Sequence, residues 1–231
     1  AVTESLDFIA TELEKAVAAG KKVELAASEL LPKIVKENKR IIFNGNGYSA
    51  EWAKEAAKRG LLNLKNTVDA LPQWASKDAV ALFDKYKVLN EREVHSRYEI
   101  MVETYNKTVN VEGQLTVLMA NRYVLPSALE YAKQVGQTVA AIKAGGGKSV
   151  EAKKLLDKMT KLTDEFKKRT DKLQAALDHS ASASAEKHAK HFRDAVIPAM
   201  VALRATSDAL ESIIPHELWP LATYREMLFI K

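Results

Sequence analysis

An all-α fold is predicted by three properties of this sequence. Its 231 residues include only 9 Gly and 6 Pro, while Ala, Leu, Lys and Glu dominate, which is a composition typical of helices. Apolar residues recur at spacings of three and four over long stretches. One such stretch continues for about 50 residues, far beyond an average helix. We therefore expect an elongated helical bundle with one very long helix and an antiparallel coiled-coil-like hairpin.

The start of the chain predicts two helices. Residues 2–19 form an amphipathic pattern that ends at Gly20, and residues 22–38 form a second pattern with Pro32 inside it. Because proline lacks an amide hydrogen and clashes with the preceding turn, we expect Pro32 to kink or restart the second helix. The two helices should pair as a hairpin.

A glycine and asparagine segment, residues 40–52, interrupts the helical pattern. Residues 44–47 read Asn-Gly-Asn-Gly and supply residues that adopt a positive φ at little steric cost, so we expect a sharp turn. Ser49 should cap a helix that runs to Arg59 and stops at Gly60.

Two shorter features follow the glycine and asparagine segment. We expect residues 61–75 to form a connector that carries Trp74. Ser76 should then cap a short helix that ends near Tyr86.

The longest predicted helix begins at Asn90, which forms a capping box with Glu93. At about 1.5 Å per residue the helix would reach roughly 75 Å, longer than a compact domain needs. Pro126 should bend it. The residues expected on its apolar face are Val94, Tyr98, Met101, Tyr105, Thr108, Leu115, Leu118, Leu125, Leu129, Ala132, Val139 and Ile142.

The apolar patterns of two further segments predict a hairpin of two helices. Residues 144–149 form a turn, Ser149 caps the first helix, and residues 180–184 form a flexible link to the second. The near-heptad positions of the first helix are Leu156, Met159, Leu162, Phe166, Leu173 and Leu177. Those of the second helix are Phe192, Val196, Met200, Leu203, Leu210 and Ile213. This spacing favours antiparallel, coiled-coil-like packing.

The end of the chain is apolar and aromatic. Pro215 opens a short segment that contains Trp219, Tyr224, Leu228 and Phe229. We expect this tail to pack rather than to extend freely into solvent.

The sequence divides into two regions. We expect residues 1–89 to contain the N-terminal helices with the Asn/Gly turn, and residues 90–231 to contain the long helix, the hairpin and the tail. They should form one continuous helical unit.

Charge and composition limit the classes of partner. The net charge is +5, but 35 basic residues are interspersed with 30 acidic ones, which is typical of solvated helix faces, so we expect no nucleic-acid partner. We also expect no membrane span, because no apolar run approaches the roughly 20 residues required. The absence of cysteine suits a reducing cytoplasm.

The motif Gly147-Lys148-Ser149 has the ending of a phosphate-binding loop. That motif requires a glycine where Ile142 stands, and it follows a strand, whereas a helix precedes it here. A glycine-rich turn between two helices explains the motif fully.

Histidines and carboxylates are the remaining candidates for chemistry. His188 and His191 lie three residues apart and would share a metal if Glu186 or Asp194 contributed, although no third ligand is clearly placed. Other isolated or paired groups match surface, capping or packing positions: His95, His179, His216, Asp164, Glu165, Glu91 and Glu93. We therefore assign no catalytic, cofactor-binding or metal-binding residue.

Three segments resemble the C-terminal region of type III glutamine synthetases. They are residues 40–52 (RIIFNGNGYSAEW), 96–110 (SRYEIMVETYNKTVN) and 218–230 (LWPLATYREMLFI). The likeness covers most of the chain and is weakest over residues 135–187, which are generically coiled-coil-like.

This resemblance implies a role within a larger enzyme. The family makes glutamine from glutamate, ammonia and ATP with a divalent metal, Mg or Mn, in a double-ring homo-oligomer. Its catalytic residues lie in a preceding α/β region that nothing in this chain matches. The resemblance thus implies a structural or oligomerisation element whose partners are the upstream catalytic domain and other subunits, and which is inactive alone.

Two alternatives remain open. One is an independent helical module that binds a partner protein, and the other is a metal-binding bundle that uses His188 and His191. The chain lacks an initiating Met and opens at helical spacing with Val2 and Leu6. We interpret this start as entry partway into a longer protein, which favours the enzyme fragment over the independent module.

Overall fold

The computed structural model describes residues 1–178 and 184–229 of the chain. It is 78% helical, and no strand occurs within those two ranges, so the predicted all-α fold is confirmed. The chain divides into two compact units: an N-terminal unit, Ala1–Tyr98, and a C-terminal unit that begins at Glu99.

A helical hairpin begins the N-terminal unit, as predicted. Helix α1, Val2–Ala18, packs on helix α2, Val23–Glu37. Gly20 makes the turn with a φ of +87°, a conformation that L side chains rarely adopt. Helix α2 continues through Pro32 without a restart. The proline lies on the exposed side of the helix, where its ring meets solvent rather than a packed neighbour.

Serine side chains cap two of the next helices, as expected. After a short 3₁₀ turn at Lys39–Ile41, helix α3 spans Ala50–Lys58. The hydroxyl of Ser49 accepts a hydrogen bond from the amide of Trp52 at 3.2 Å, which satisfies an amide that has no partner within the helix.

The predicted connector at residues 61–75 is wrong, because its second half is helical. Helix α4 spans Thr67–Trp74. The side chain of Asn66 caps it by accepting from the amide of Asp69 at 3.0 Å, and Val68 is buried. The cap and this burial hold a helix despite the proline within it. Ser76 then caps helix α5, Lys77–Lys85.

A reciprocal cap starts the long helix. The side chain of Asn90 accepts from the amide of Glu93 at 3.0 Å, and the carboxylate of Glu93 accepts from the amide of Asn90 at 2.8 Å. Helix α6 spans Glu91–Met119, a π-helical segment spans Ala120–Val124, and helix α7 spans Leu125–Ala144. The capping box and the continuous helical stretch are both confirmed.

A wider helical turn accommodates Pro126. The amide of Leu125 donates to the carbonyl of Ala120, five residues earlier instead of four. This register relieves the clash that a proline ring makes with a carbonyl in a regular α-helix. A second π-helical segment, Phe192–Val196, precedes Pro198 in the same way. Each proline is therefore placed inside a helix that does not end.

Helix α8, Val150–Leu177, packs against α7 and against helix α10, Ile197–Glu211. Helix α9, Ala185–His191, leads through the π segment into α10. The α8 and α10 helices are antiparallel, since His191 contacts the carbonyl of Ala176 while Arg169 donates to the carbonyl of Ala202. The predicted link at 180–184 lies outside the described residues except for Ser184.

The buried positions of α8 alternate at spacings of four and three. Met159, Phe166 and Leu173 are buried as predicted. Thr163 and Thr170 fill the positions between them, and their hydroxyls donate to the carbonyls of Met159 and Phe166 at 2.8 and 2.9 Å. Leu156 and Leu162, which were expected there, are only half-buried. This spacing is that of a coiled-coil seam, and the supercoil itself stays a prediction.

The buried face of the long helix differs from the predicted one. Leu115 and Leu129 are 51% and 54% exposed. The buried residues are small for the most part: Val94, Val102, Asn106, Val109, Val117, Ala120, Val124, Ala128 and Val135. At one of its positions, Gly113, a Cβ would lie 2.7 Å from a methyl carbon of Leu177, so this part of α6 lies directly against the end of α8. The buried stripe of the long helix is therefore formed mainly by valine and alanine rather than by leucine.

The aromatic tail packs in part. Trp219 is buried at 8% exposure, in line with the prediction. Helix α11, Tyr224–Leu228, starts at a capping box made by Thr223 and Glu226. Tyr224 and Phe229 are 79% and 71% exposed, so this end of the tail does not pack on the described residues.

Alanine substitutions at two glycines of the long helical stretch should differ in their effect on stability. A Cβ at Gly136 would meet Leu156 at an ordinary 3.8 Å, whereas a Cβ at Gly113 would force Leu177 to move. We expect Gly136→Ala to raise the free energy of unfolding by about 0.5–1 kcal/mol, because alanine loses less backbone entropy on folding. Gly113→Ala should gain nothing. Thermal denaturation of both variants tests this, and a stabilised Gly113→Ala would contradict the close contact between Gly113 and Leu177.

Candidate interaction surface

The N-terminal unit contains very little core of its own. Ala26, Val68 and Val94 are its buried apolar residues, in a unit whose 98 residues are all described. The C-terminal unit buries large side chains such as Phe166 and Leu173. Since burial of apolar surface is the main force that stabilises a folded domain, the N-terminal unit has an unusually small internal source of stability.

Large apolar side chains of the N-terminal unit face solvent instead. Val2 and Leu6 lie one turn apart on α1 and are 75% and 60% exposed. Leu31 and Val35 lie one turn apart on α2 and are also more than half exposed. Together with Ile41 and Tyr48 we call these residues the exposed apolar set. A single exposed leucine is ordinary, but paired positions on successive helices are typical of a surface that another element covers.

The glycine and asparagine segment is built by close packing rather than by unusual backbone angles. The predicted sharp turn is present, but Gly45 and Gly47 form it without a positive φ. The ring of Phe43 stacks on Trp52 with centroids 4.4 Å apart. A Cβ on Gly45 would lie 2.7 Å from this ring. Glycine is therefore required at position 45 by the aromatic ring and not by the turn.

An asparagine closes the turn itself. The side chain of Asn46 accepts from the amide of Tyr48 at 3.0 Å, and its carbonyl accepts from the amide of Ser49 at 3.0 Å. These bonds present Tyr48 outward, fully exposed. Exposed tyrosines are among the residues most enriched at the centres of protein interfaces.

Arg59 joins the segment to helix α3. Its guanidinium donates to the carbonyl of Ile42 at 2.8 Å and to that of Arg40 at 3.3 Å. It also donates to Glu55 at 2.8 Å and lies 5.5 Å from the centre of the Trp52 ring. This hydrogen bond lowers the pKa of the Glu55 carboxyl. No local pattern in the sequence marks Arg59, because its partners lie 17 and 19 residues earlier.

The phosphate-loop-like motif forms a turn, as expected. Gly146 adopts a φ of +75°. The hydroxyl of Ser149 accepts from the amide of Ala152 at 3.2 Å and so caps α8.

The histidines are placed against helices. The ring of His188 stacks on Phe192 at 4.4 Å, and the Nε2 atom of His191 lies 2.8 Å from the carbonyl oxygen of Ala176. His216 lies beside Glu217 at 3.2 Å on the surface. Within the described ranges no group of three or more His, Cys, Asp or Glu residues comes together. His179 lies outside those ranges.

Two of the carboxylates named as candidates, Glu165 and Glu93, have structural partners. Glu165 accepts from Arg169 at 2.7 Å, and this bond lowers the pKa of its carboxyl. Glu93 caps the long helix. Among the residues that the structure describes, no helix is long and apolar enough to cross a membrane.

Known proteins similar to this chain are glutamine synthetases. The family model described as the glutamine synthetase C-terminal domain matches residues 26–143. A glutamine synthetase of Butyrivibrio fibrisolvens is 31% identical over 213 residues, which cover 91% of this chain and 30% of that protein. A type-3 glutamine synthetase of Dictyostelium discoideum is 28% identical over 241 residues, covering 100% and 32%. One from Bacteroides fragilis (strain YCH46) is 28% identical over 219 residues, covering 90% and 30%.

The similarity to these relatives covers only part of each of them. The chain spans about a third of the length of the curated relatives that it matches. They therefore identify the family of this region and leave the activity of a whole synthetase to be proposed.

Substitution of Arg59 tests how the Asn/Gly segment is held. Arg59→Met keeps much of the side-chain length but removes the donors to two solvent-exposed carbonyls, and we expect a loss of about 0.5–1.5 kcal/mol in unfolding free energy. Because the pKa of Glu55 is lowered in the folded state, its contribution is present above its unfolded pKa and lost as pH falls through the folded value. The variant should lack this contribution.

The control for Arg59 is Arg59→Lys, which keeps the charge without the planar fork. Urea unfolding of both variants at neutral and acidic pH measures the effect. If Arg59→Lys is as stable as the unmodified protein, the charge holds the segment, and the bonds to Arg40 and Ile42 do not.

Proposed function

Because this chain belongs to the family of glutamine synthetase C-terminal domains, we propose that it is the helical C-terminal portion of a type III glutamine synthetase and acts there as a structural element. Its task is to brace the catalytic region and to support the assembly of subunits. It contributes packing surface rather than reacting groups.

The observation that carries this proposal is the unequal burial of the two units. The N-terminal unit leaves Leu6, Leu31 and Val35 in solvent while burying little between its own helices. A set of apolar side chains of this kind gains stability when another surface covers it, at about 25 cal/mol per Å² of apolar area removed from water. The catalytic region of the same polypeptide is the partner that the family supplies.

The Asn/Gly segment fits the same role. Phe43, Trp52 and Arg59 fix its shape, and Tyr48 is presented fully exposed. A preorganised loop loses little conformational entropy when it binds, so little of the free energy of its contacts is offset by ordering. We assign this loop to the contact with the catalytic region.

The exposed tail and helix stripe are assigned to the assembly of subunits. Tyr224 and Phe229 at the end of the chain, and Val111 and Leu115 on α6, are all more than half exposed. Interfaces of permanent homo-oligomers are rich in large apolar side chains such as these. The proposed partners are therefore the upstream catalytic domain and the other subunits of a homo-oligomer.

The reaction of the whole protein is proposed to be the ATP-dependent synthesis of glutamine from glutamate and ammonia. The divalent metal of that reaction does not fit this chain, since the described residues bring no group of three or more metal-ligating side chains together. We place the metal and nucleotide sites in the catalytic region and derive no step of the reaction through the present residues.

Serine substitutions in the exposed apolar set test the docking role. In a protein that joins this chain to its synthetase region, we expect Leu6→Ser with Leu31→Ser and Val35→Ser to reduce both the native oligomer size and glutamine formation. In the isolated chain the same changes should alter stability by less than about 0.5 kcal/mol each, because these side chains are already exposed. Light scattering, an activity assay and thermal denaturation are the three readouts.

The matched control is Val201→Ser, which changes an equally exposed apolar side chain, 63% accessible, on helix α10 of the C-terminal unit. It should leave assembly and activity unchanged. A triple variant that assembles and reacts like the unmodified protein would refute docking through the N-terminal unit.

A further inference from the structure

An open cavity lies where helix α7 turns into helix α8. Its volume is about 540 Å³, within the range of about 300–1,000 Å³ that is usual for small-molecule sites. Gly146 and Gly147 form one wall, so the glycine-rich motif of the turn contributes to the cavity as well as to the reversal of the chain. Neither the fold nor the proposed docking role requires such a cavity.

The floor of the cavity is apolar. Val139 and Ile142 from α7 and Val150 from α8 line it. Val150, the first residue of α8, is 63% exposed. An exposed valine side chain contributes little to the packing of the helix. A hydrocarbon group placed on these three side chains would remove apolar surface from water on both partners.

The rim of the cavity is basic. Lys143, Lys148 and Lys153 line it, and among the described residues no carboxylate lies within ion-pair distance of these three ammonium groups. A fourth lining lysine, Lys154, is paired with Glu151 at 2.8 Å. Asp157 is the acidic residue of the lining. Within the part of the chain that the structure describes, the rim therefore has an excess of unpaired positive charge.

We propose that this cavity binds an amphipathic anion, a molecule with a short hydrocarbon portion and one carboxylate. The hydrocarbon lies on Val139, Ile142 and Val150, and the carboxylate faces Lys143, Lys148 and Lys153. Exposed lysines alone bind an anion weakly because water and salt screen them, and an exposed apolar floor alone is equally weak. The arrangement therefore selects a ligand that carries both groups in one molecule.

This chemistry differs from that of a phosphate-binding loop. Such a loop wraps the phosphate with backbone amides between a strand and a helix, whereas here the turn joins two helices and the cations come from side chains. The inference does not depend on the proposed docking role, because every residue of the cavity belongs to the C-terminal unit.

The test is a titration of the protein with decanoate, followed by methyl NMR of labelled isoleucine and valine. We expect saturable shifts at Ile142 and Val150, and an affinity that falls as salt concentration rises. Decanol and acetate, which each carry one half of the ligand, should give little shift at the same concentrations. Shifts that decanol reproduces, or shifts confined to residues outside the cavity, would overturn the proposal.

Charge variants complete the test. Lys143→Gln, Lys148→Gln and Lys153→Gln combined should weaken decanoate binding roughly tenfold. The matched control changes three exposed lysines of α8 that do not line the cavity, Lys158→Gln, Lys161→Gln and Lys172→Gln, and should bind like the unmodified protein. Equal weakening in both variants would show a general effect of net charge and overturn the site.

Discussion

Burial along helix α8 is the constraint on which the C-terminal unit depends. Met159, Phe166 and Leu173 are fully buried because α7 covers one side of the helix and α10 covers another. The threonines between them satisfy their hydroxyls within the helix, so the seam loses no hydrogen bond when water leaves. This shared surface also explains why the prolines of the neighbouring helices occur beside π-helical segments. A break in either helix would remove one cover of α8.

The N-terminal unit has no helix that is covered on two sides in this manner. Its hairpin of α1 and α2 buries Ala26 but leaves Leu31 and Val35 exposed. What the unit does contain is a rigid loop, in which Arg59, Phe43 and Trp52 hold one another in place. A unit with a well-fixed loop and a small core is suited to docking on a larger partner. Under the proposed function, that partner is the catalytic region of a glutamine synthetase.

Sequence reasoning succeeded where the deciding contacts are local. The caps at Ser49 and Asn90 depend on residues three positions away, so both helix starts could be predicted. It failed where the deciding contacts are distant in sequence. Which stripe of the long helix is buried depends on where the other helices of the C-terminal unit pack on it, and helical spacing alone fits both. Likewise the role of Gly45 depends on the Phe43 ring, and the bonds of Arg59 join segments far apart in the chain. For the same reason the exposed apolar set could not be recognised from its periodicity, which also describes a buried helix face.

Hydrogen exchange measured on the isolated 231-residue chain and on a protein that joins it to a synthetase region tests the docking of the N-terminal unit most directly. The amides of α1 and α2 should exchange at least about tenfold more slowly in the joined protein, because covering the exposed apolar set suppresses local opening. Amides in the centre of α8 should be slow in both samples. Equal exchange of α1 and α2 with and without the synthetase region would contradict the account.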